Sequence, residues 1–182
     1  MKRVCVFCGA STGTRPEYIQ ATRELGRALV SRNLGMVYGG STVGLMGEIA
    51  NIMLETGGEV VGIIYKKWVE QEAHPGLSKL HIVDSLHARK GMMAELADSF
   101  IVLPGGIGTL DEFFEMLSWT QIGRHRKPCA LLNTCQYYNK LIDFLDHAVS
   151  ERFIRAHYRS MILVDENPQT LLDKLQAYED GR

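Results

Sequence analysis

Apolar and polar positions along this chain follow two rhythms. Short apolar runs occur at RVCVFCG (3–9), GMVYGG (35–40), EVVGIIY (59–65), LHIVDS (80–85), SFIVLPG (99–105), KPCALLN (127–133) and SMILVD (160–165). Several are continuous rather than alternating, as strands covered on both faces are. The stretches between them carry apolar residues at helical spacing and predict helices of about 10–18 residues. The first helix is framed by Thr14 as N-cap, Pro16 in the first turn and Glu17 three residues after the cap. Repeated strand–helix units predict an α/β fold, a doubly wound and mostly parallel sheet of seven strands flanked by helices. No repeat or linker divides the chain, so one domain is expected over residues 1–178, with 179–182 as a loose tail.

Bulk composition narrows the function classes. The chain has 182 residues, 46% apolar and 23% charged, with a net charge of −1. That length is one domain's worth, and a near-neutral charge argues against a general nucleic-acid binder. No apolar run approaches the roughly 18 residues a membrane span needs. The apolar stretch of MKRVCVFC is shorter than the ~7–15 residues of a signal-peptide core, so a cytoplasmic protein is expected. Cys5 and Cys8 form a C-x-x-C, but Cys5 lies in a strand run and no second pair sits at metal spacing. The six histidines show no ligand spacing either. Buried reduced thiols are expected, with no metal and no cofactor.

In folds of this kind ligands bind beyond the carboxyl ends of the strands, where strand order reverses. That rule selects the loops CGASTGTRPE, YGGSTVGLMGE, DSLHARKGMM and LPGGIGTLDE. Glycine-rich turns ahead of helices let backbone N–H groups approach an anion, aided by the helix dipole. The candidates are Gly9 and Ser11; Gly40, Ser41, Thr42, Gly44 and Met46; and Gly105, Gly106, Gly108 and Thr109. The alternative is that the glycines only permit tight strand-to-helix turns. A dinucleotide is disfavoured, because Gly106-x-Gly108 meets Asp111 where a third glycine would stand, and a P-loop is absent. A mononucleotide or sugar phosphate remains.

Two charged groups complete the candidate site. Ser85 is a natural N-cap, which puts Arg89 and Lys90 early in a helix, where the dipole disfavours cations unless an anion or acidic side chain faces them. Thr109-Leu110-Asp111-Glu112 fits a capping box, with Glu112 reaching back to the Thr109 N–H. Leu110, Phe113, Phe114 and Leu117 form an apolar stripe, which leaves Glu112 on another face. Spacing therefore allows Glu112 to be a cap or a catalyst. A carboxylate beside a phosphate site is explained if positive charge develops on the substrate, as it does at a sugar C1′ during glycoside hydrolysis.

At these residues the sequence resembles a known family. PGGIGTLDE matches the P-G-G-x-G-T-x-x-E signature of the Lonely Guy family of cytokinin-activating enzymes, long labelled "possible lysine decarboxylase". CGAS, YGGSTVGLMG and HARKGMM match its other motifs in order, over essentially the whole chain. The resemblance implies a Rossmann-like homodimer that hydrolyses nucleoside 5′-monophosphates, AMP or its N6-prenylated form, to free base and ribose 5-phosphate. It assigns catalysis to Arg89 and Glu112, and phosphate and ribose contacts to the loops 40–47 and 105–109. Met92 or Met93 would line the base pocket. A lysine decarboxylase is disfavoured, since no His-Lys dipeptide is present to hold pyridoxal phosphate. A non-catalytic nucleotide- or sugar-phosphate-binding module is the other alternative, and it gives no reason for Glu112.

Overall fold

Along β1 (Arg3–Phe7) successive side chains leave on opposite faces of the sheet. Val4 and Val6 enter one apolar core, Cys5 and Phe7 the other. A strand buried on both sides needs an unbroken apolar run, which is what residues 4–7 supply. The same division holds on β2 (Gly35–Tyr38), where Met36 and Tyr38 face the first core and Val37 the second.

The computed structural model describes residues 1–181. The remaining strands are β3 (Val60–Tyr65), β4 (Lys79–Val83), β5 (Ser99–Val102), β6 (Cys129–Leu132) and β7 (Ile162–Asp165). Together they form one seven-stranded sheet in the order β4-β3-β2-β1-β5-β6-β7. Every pairing is parallel. On the first face lie α1 (Pro16–Ser31), α2 (Gly44–Glu55) and α8 (Pro168–Asp180), anchored by Leu25, Ile49 and Leu171. On the second lie α4 (Leu86–Leu96), α5 (Ile107–Gln121) and α6 (Asn139–Ser150), anchored by Met93, Phe113 and Leu145. The chain is a single domain of Rossmann-like type. No helix of the described residues is long and apolar enough to cross a membrane.

All seven expected strands are present but shorter: β1, β2, β4 and β5 end early because their last expected residues leave the ladder to build loops, while β3 and β7 start later than expected and β6 is trimmed at both ends. Pro104, without an N–H, helps to end β5. Between β3 and β4 the expected long helix is replaced by a 3₁₀ turn (Lys66–Trp68) and the four-residue α3 (Val69–Glu72), cut short ahead of His74-Pro75-Gly76. A second four-residue helix, α7 (Ala156–Arg159), precedes β7. Arg15 rather than Thr14 occupies the cap position of α1, with no side-chain cap bond, because the helix begins at Pro16. Glu179 and Asp180, expected in the tail, are the last residues of α8, and Glu179 binds the N-terminal ammonium at 2.6 Å. Arg182 of that tail lies outside the described residues.

Strand order reverses between β1 and β5, so their carboxyl-end loops are neighbours. Gly9 N–H donates to the Pro104 carbonyl at 3.1 Å, and the Gly9 carbonyl accepts from Leu45 N–H at 3.0 Å. The loops after β1 and β5 and the start of α2 are thereby sewn together at the reversal. Cys5 and Cys8 sit in opposite cores and cannot chelate one ion as a pair. All four cysteines are free thiols, and burial pushes Cys5, Cys8 and Cys129 well above the usual thiol range.

Candidate functional site

A cleft of about 660 Å³ opens at the reversal, within the ~300–1,000 Å³ range of small-ligand sites. Residues 9–13 of the β1 loop and 104–109 of the β5 loop line it, facing Met46, Trp68, Glu72, Arg89, Glu112 and Tyr137.

Arg89 projects from α4 into the carboxyl ends of β2 and β3. Its Nε donates to the Ile63 carbonyl at 2.9 Å, Nη2 to the Gly39 carbonyl at 3.1 Å and Nη1 to Glu112 Oε1 at 2.8 Å. The Arg89 and Glu112 side chains are only 10% and 13% exposed, so this pair is shielded from water and its attraction is less screened than that of a surface pair. Trp68 lies beside the guanidinium, its ring centroid 5.7 Å from Cζ. Burial pushes the Glu112 carboxyl above its ordinary value, an effect that outweighs the opposing pull of Arg89.

Glu112 is not a helix cap. α5 starts at Ile107, with Gly106 as the cap residue, which makes Thr109 the third helical residue rather than the cap. Thr109 is buried against Gly105, where a Cβ would collide with its hydroxyl. The capping box therefore does not form, and Glu112 is left to meet Arg89 at the cleft. Asp111 is more than a dipole partner, because it accepts from Lys90 Nζ at 2.8 Å, and Glu115 lies 3.0 Å from the same ammonium. Burial opposes the charge on Lys90, but these acids outweigh it and raise its pKa. Adjacent cations on α4 are thus matched to carboxylates on α5. Within the expected apolar stripe Phe113 is buried, while Phe114 is 37% exposed and Met116 takes the inward place.

The start of α5 is bare. Leu110 is the first residue whose N–H finds a helical acceptor, at 3.1 Å to Gly106. The N–H groups of Ile107, Gly108 and Thr109 precede it, at the positive end of the dipole. A Cβ at Gly106 or Gly108 would meet nothing within 4 Å, and neither has a positive φ.

Of the sequence-derived positions, Gly9, Ser11, Met46, Arg89, Gly105, Gly106, Gly108, Thr109 and Glu112 come together around the cleft. Gly40, Ser41, Thr42 and Gly44 are not among its lining residues. Ser41 Oγ donates to Glu72 Oε2 at 2.9 Å, and Thr42 N–H donates to the Glu72 carbonyl at 2.8 Å, so both bind α3 instead. Lys90 is committed to its two acids, Met92 packs against the second core, and Met93 is buried in it. Trp68, Glu72, Tyr18 and Tyr137 line the cleft without having been singled out in the sequence. Extending the strand-end rule to the loop after β3 finds the first two. No group of three or more His, Cys, Asp or Glu residues placed to hold a metal ion occurs among the described residues.

Fold and cleft define a class: a Rossmann-like α/β protein in which an uncapped helix start faces a shielded Arg–Glu pair. Residues 46–175 match the family described as "Possible lysine decarboxylase", and the chain belongs to that family. It is 48% identical over 165 residues to the cytokinin riboside 5′-monophosphate phosphoribohydrolase of Rhodococcoides fascians, covering 90% of this chain and 83% of the relative. A cytokinin riboside 5′-monophosphate phosphoribohydrolase of Arabidopsis thaliana is 44% identical over 179 residues, covering 98% and 82%. Among solved structures, the molybdenum cofactor binding protein of the phototrophic bacterium Rippkaea orientalis aligns with a TM-score of 0.73 at 17% identity. That alignment covers 98% of each chain and is a likeness of fold.

Proposed function

We propose that this chain hydrolyses the N-glycosidic bond of adenosine 5′-monophosphates, with or without an N6-prenyl group, to free base and ribose 5-phosphate. The observation that carries the reading is the shielded Glu112–Arg89 pair facing a bare helix start across one cleft. The relatives' names point to the same reaction.

In this reading the 5′-phosphate sits on the N–H groups of Ile107, Gly108 and Thr109, approached over Gly106 and with Gly9, Ser11 and Gly105 alongside. Glu112 then faces C1′. As the bond from C1′ to the base nitrogen breaks, its electron pair leaves with the base and positive charge grows on the ribose. Glu112 stabilises that charge and orients a water whose oxygen bonds to C1′, and the water's proton ends on the base. Arg89, fixed by the Gly39 and Ile63 carbonyls, favours the ionised form of Glu112 against the effect of burial and keeps it aimed. Trp68 and Met46 offer the apolar surface for the base. Gly40, Ser41, Thr42, Gly44, Lys90 and Met92 support the cleft from behind.

Pyridoxal phosphate does not fit. It needs a neutral lysine amine, whereas the acids around Lys90 hold it charged. Lys127, the lysine with a lowered pKa, donates to the Ala94 and Ala97 carbonyls, away from the cleft lining. We further propose that the protein acts as a homodimer in the cytoplasm, where its four free thiols would persist. The test is incubation with AMP and with N6-isopentenyl-AMP, followed by assay of free base and ribose 5-phosphate. Release from either supports the reading; tight binding with no release above blank would make the chain a carrier instead.

A further inference from the structure

We infer that Tyr137 and Tyr138 are positioning residues that fix the peptide planes of the turn Leu103–Gly105 and so present the start of α5 to the substrate's phosphate. The inference rests on the hydrolase reading for the identity of the ligand. Tyr138 Oη donates to the Leu103 carbonyl at 2.7 Å, and Tyr137 Oη donates to the Gly105 carbonyl at 2.7 Å. The Pro104 carbonyl between them accepts from Gly9 N–H at 3.1 Å. Three successive carbonyls are thus held from outside the turn. A peptide unit is one rigid plane, with the carbonyl of one residue opposed to the N–H of the next. Holding the Gly105 carbonyl therefore also sets the N–H of Gly106, the residue that caps α5.

Both tyrosines come from one short segment with an unusual backbone. Cys135 and Gln136 have φ of 52° and 58°, consecutive left-handed residues that are not glycine. Asn133 holds this turn, since its carbonyl accepts from Gln136 N–H at 2.9 Å and its Oδ1 from Tyr138 N–H at 2.7 Å. The tight reversal brings adjacent tyrosines to alternate carbonyls of the same strand end. Tyr138 is buried at 2% exposure and belongs to the core, whereas Tyr137 is 44% exposed and lines the cleft. Its hydroxyl is not needed to fill space, and holding the turn in its ligand-ready form before binding is the role left to it.

The test is Tyr137→Phe, which removes the hydroxyl alone, with ribose 5-phosphate titrated calorimetrically into variant and wild type. Affinity is expected to fall roughly three- to tenfold, the worth of one hydrogen bond, with the melting temperature of the unliganded protein unchanged. For AMP turnover the same factor is expected in KM with kcat nearly unaltered. Unchanged ribose 5-phosphate affinity overturns the inference, and so does weaker binding accompanied by a lower melting temperature, which would mark a purely structural role. A wild type that binds ribose 5-phosphate but releases no base from AMP fails the hydrolase reading while leaving this test intact. A wild type that binds no ribose 5-phosphate overturns the inference, while the hydrolase reading then stands or falls on base release from AMP.

Discussion

Two glycine-rich turns precede helices on the same edge of this sheet, and their glycines are there for different reasons. In the turn of residues 39–47 the fold demands them. Gly40 and Gly44 have φ of 77° and 55°, and a Cβ at Gly39, Gly44 or Gly47 would collide with Arg89, with the backbone at Ala10–Ser11, or with the Thr42 carbonyl. That helix start is also occupied, because Leu45 N–H is bonded to the Gly9 carbonyl. In the turn of residues 105–109, Gly105 is demanded by Thr109, but Gly106 and Gly108 have open space where a Cβ would go. Neither backbone nor packing requires glycine at those two positions. A glycine points to a ligand where the fold itself makes no use of it.

The largest expected effect lies on the second turn's helix. Glu112→Gln keeps the side chain's shape but removes its charge, and kcat/KM for AMP should fall by about 10²–10⁴-fold. Base release in a stopped assay checks this, and full activity in the variant would remove Glu112 from the chemistry. Next comes Gly47→Ala in the first turn, where overpacking should cost about 1–3 kcal/mol, read by urea denaturation. The contrasting change, Gly108→Ala, should raise stability by about 0.5–1 kcal/mol, since alanine suits a helix better than glycine. It should at the same time weaken ribose 5-phosphate binding severalfold, because a methyl now stands where the phosphate would approach. If Gly108→Ala lost stability instead, the contrast between the turns would collapse.

The smallest effect concerns pH. Burial raises the Glu112 pKa above its ordinary value of 4.5. The folded state therefore prefers the protonated acid, and the favourable contribution is complete below the unfolded value. It is lost as pH rises from 4.5 through the raised folded value, so over that window wild type should lose stability relative to Glu112→Gln. Paired melts across pH 4 to 7 would show it, and a gap moving the other way would contradict it. For the same reason the acid limb of kcat/KM should lie above the ordinary glutamate range.

Much of this was legible in the sequence, for identifiable reasons. Continuous apolar runs mark strands buried on both faces, so all seven strands could be located, and the strand-end rule then chose most of the loops that line the cleft. Arg89 stood out because a cation is disfavoured early in its helix, and Glu112 because a carboxylate sits beside a glycine-rich turn suited to phosphate. Less visible was the register of α5. Thr109 resembles a cap in sequence, but two further helical residues precede it, and backbone conformation at Gly106 decides that. The roles of Ser41 and Lys90 were hidden because each is satisfied by acids distant in sequence, Glu72 and the Asp111–Glu115 pair. Tyr137 reaches the cleft only through a left-handed turn that nothing in Thr134-Cys135-Gln136 announces.

Gly39 and Arg89 carry one more implication. The guanidinium Nη2 lies where any side chain at position 39 would begin, and it bonds that residue's own carbonyl. Two positions far apart in the chain are therefore sterically coupled. A mutation at Gly39 alone evicts the arginine, and loss of the arginine alone strands Glu112 without its counter-charge. Either single change is enough to break the arrangement, so neither position can vary without the Arg89–Glu112 pair being lost.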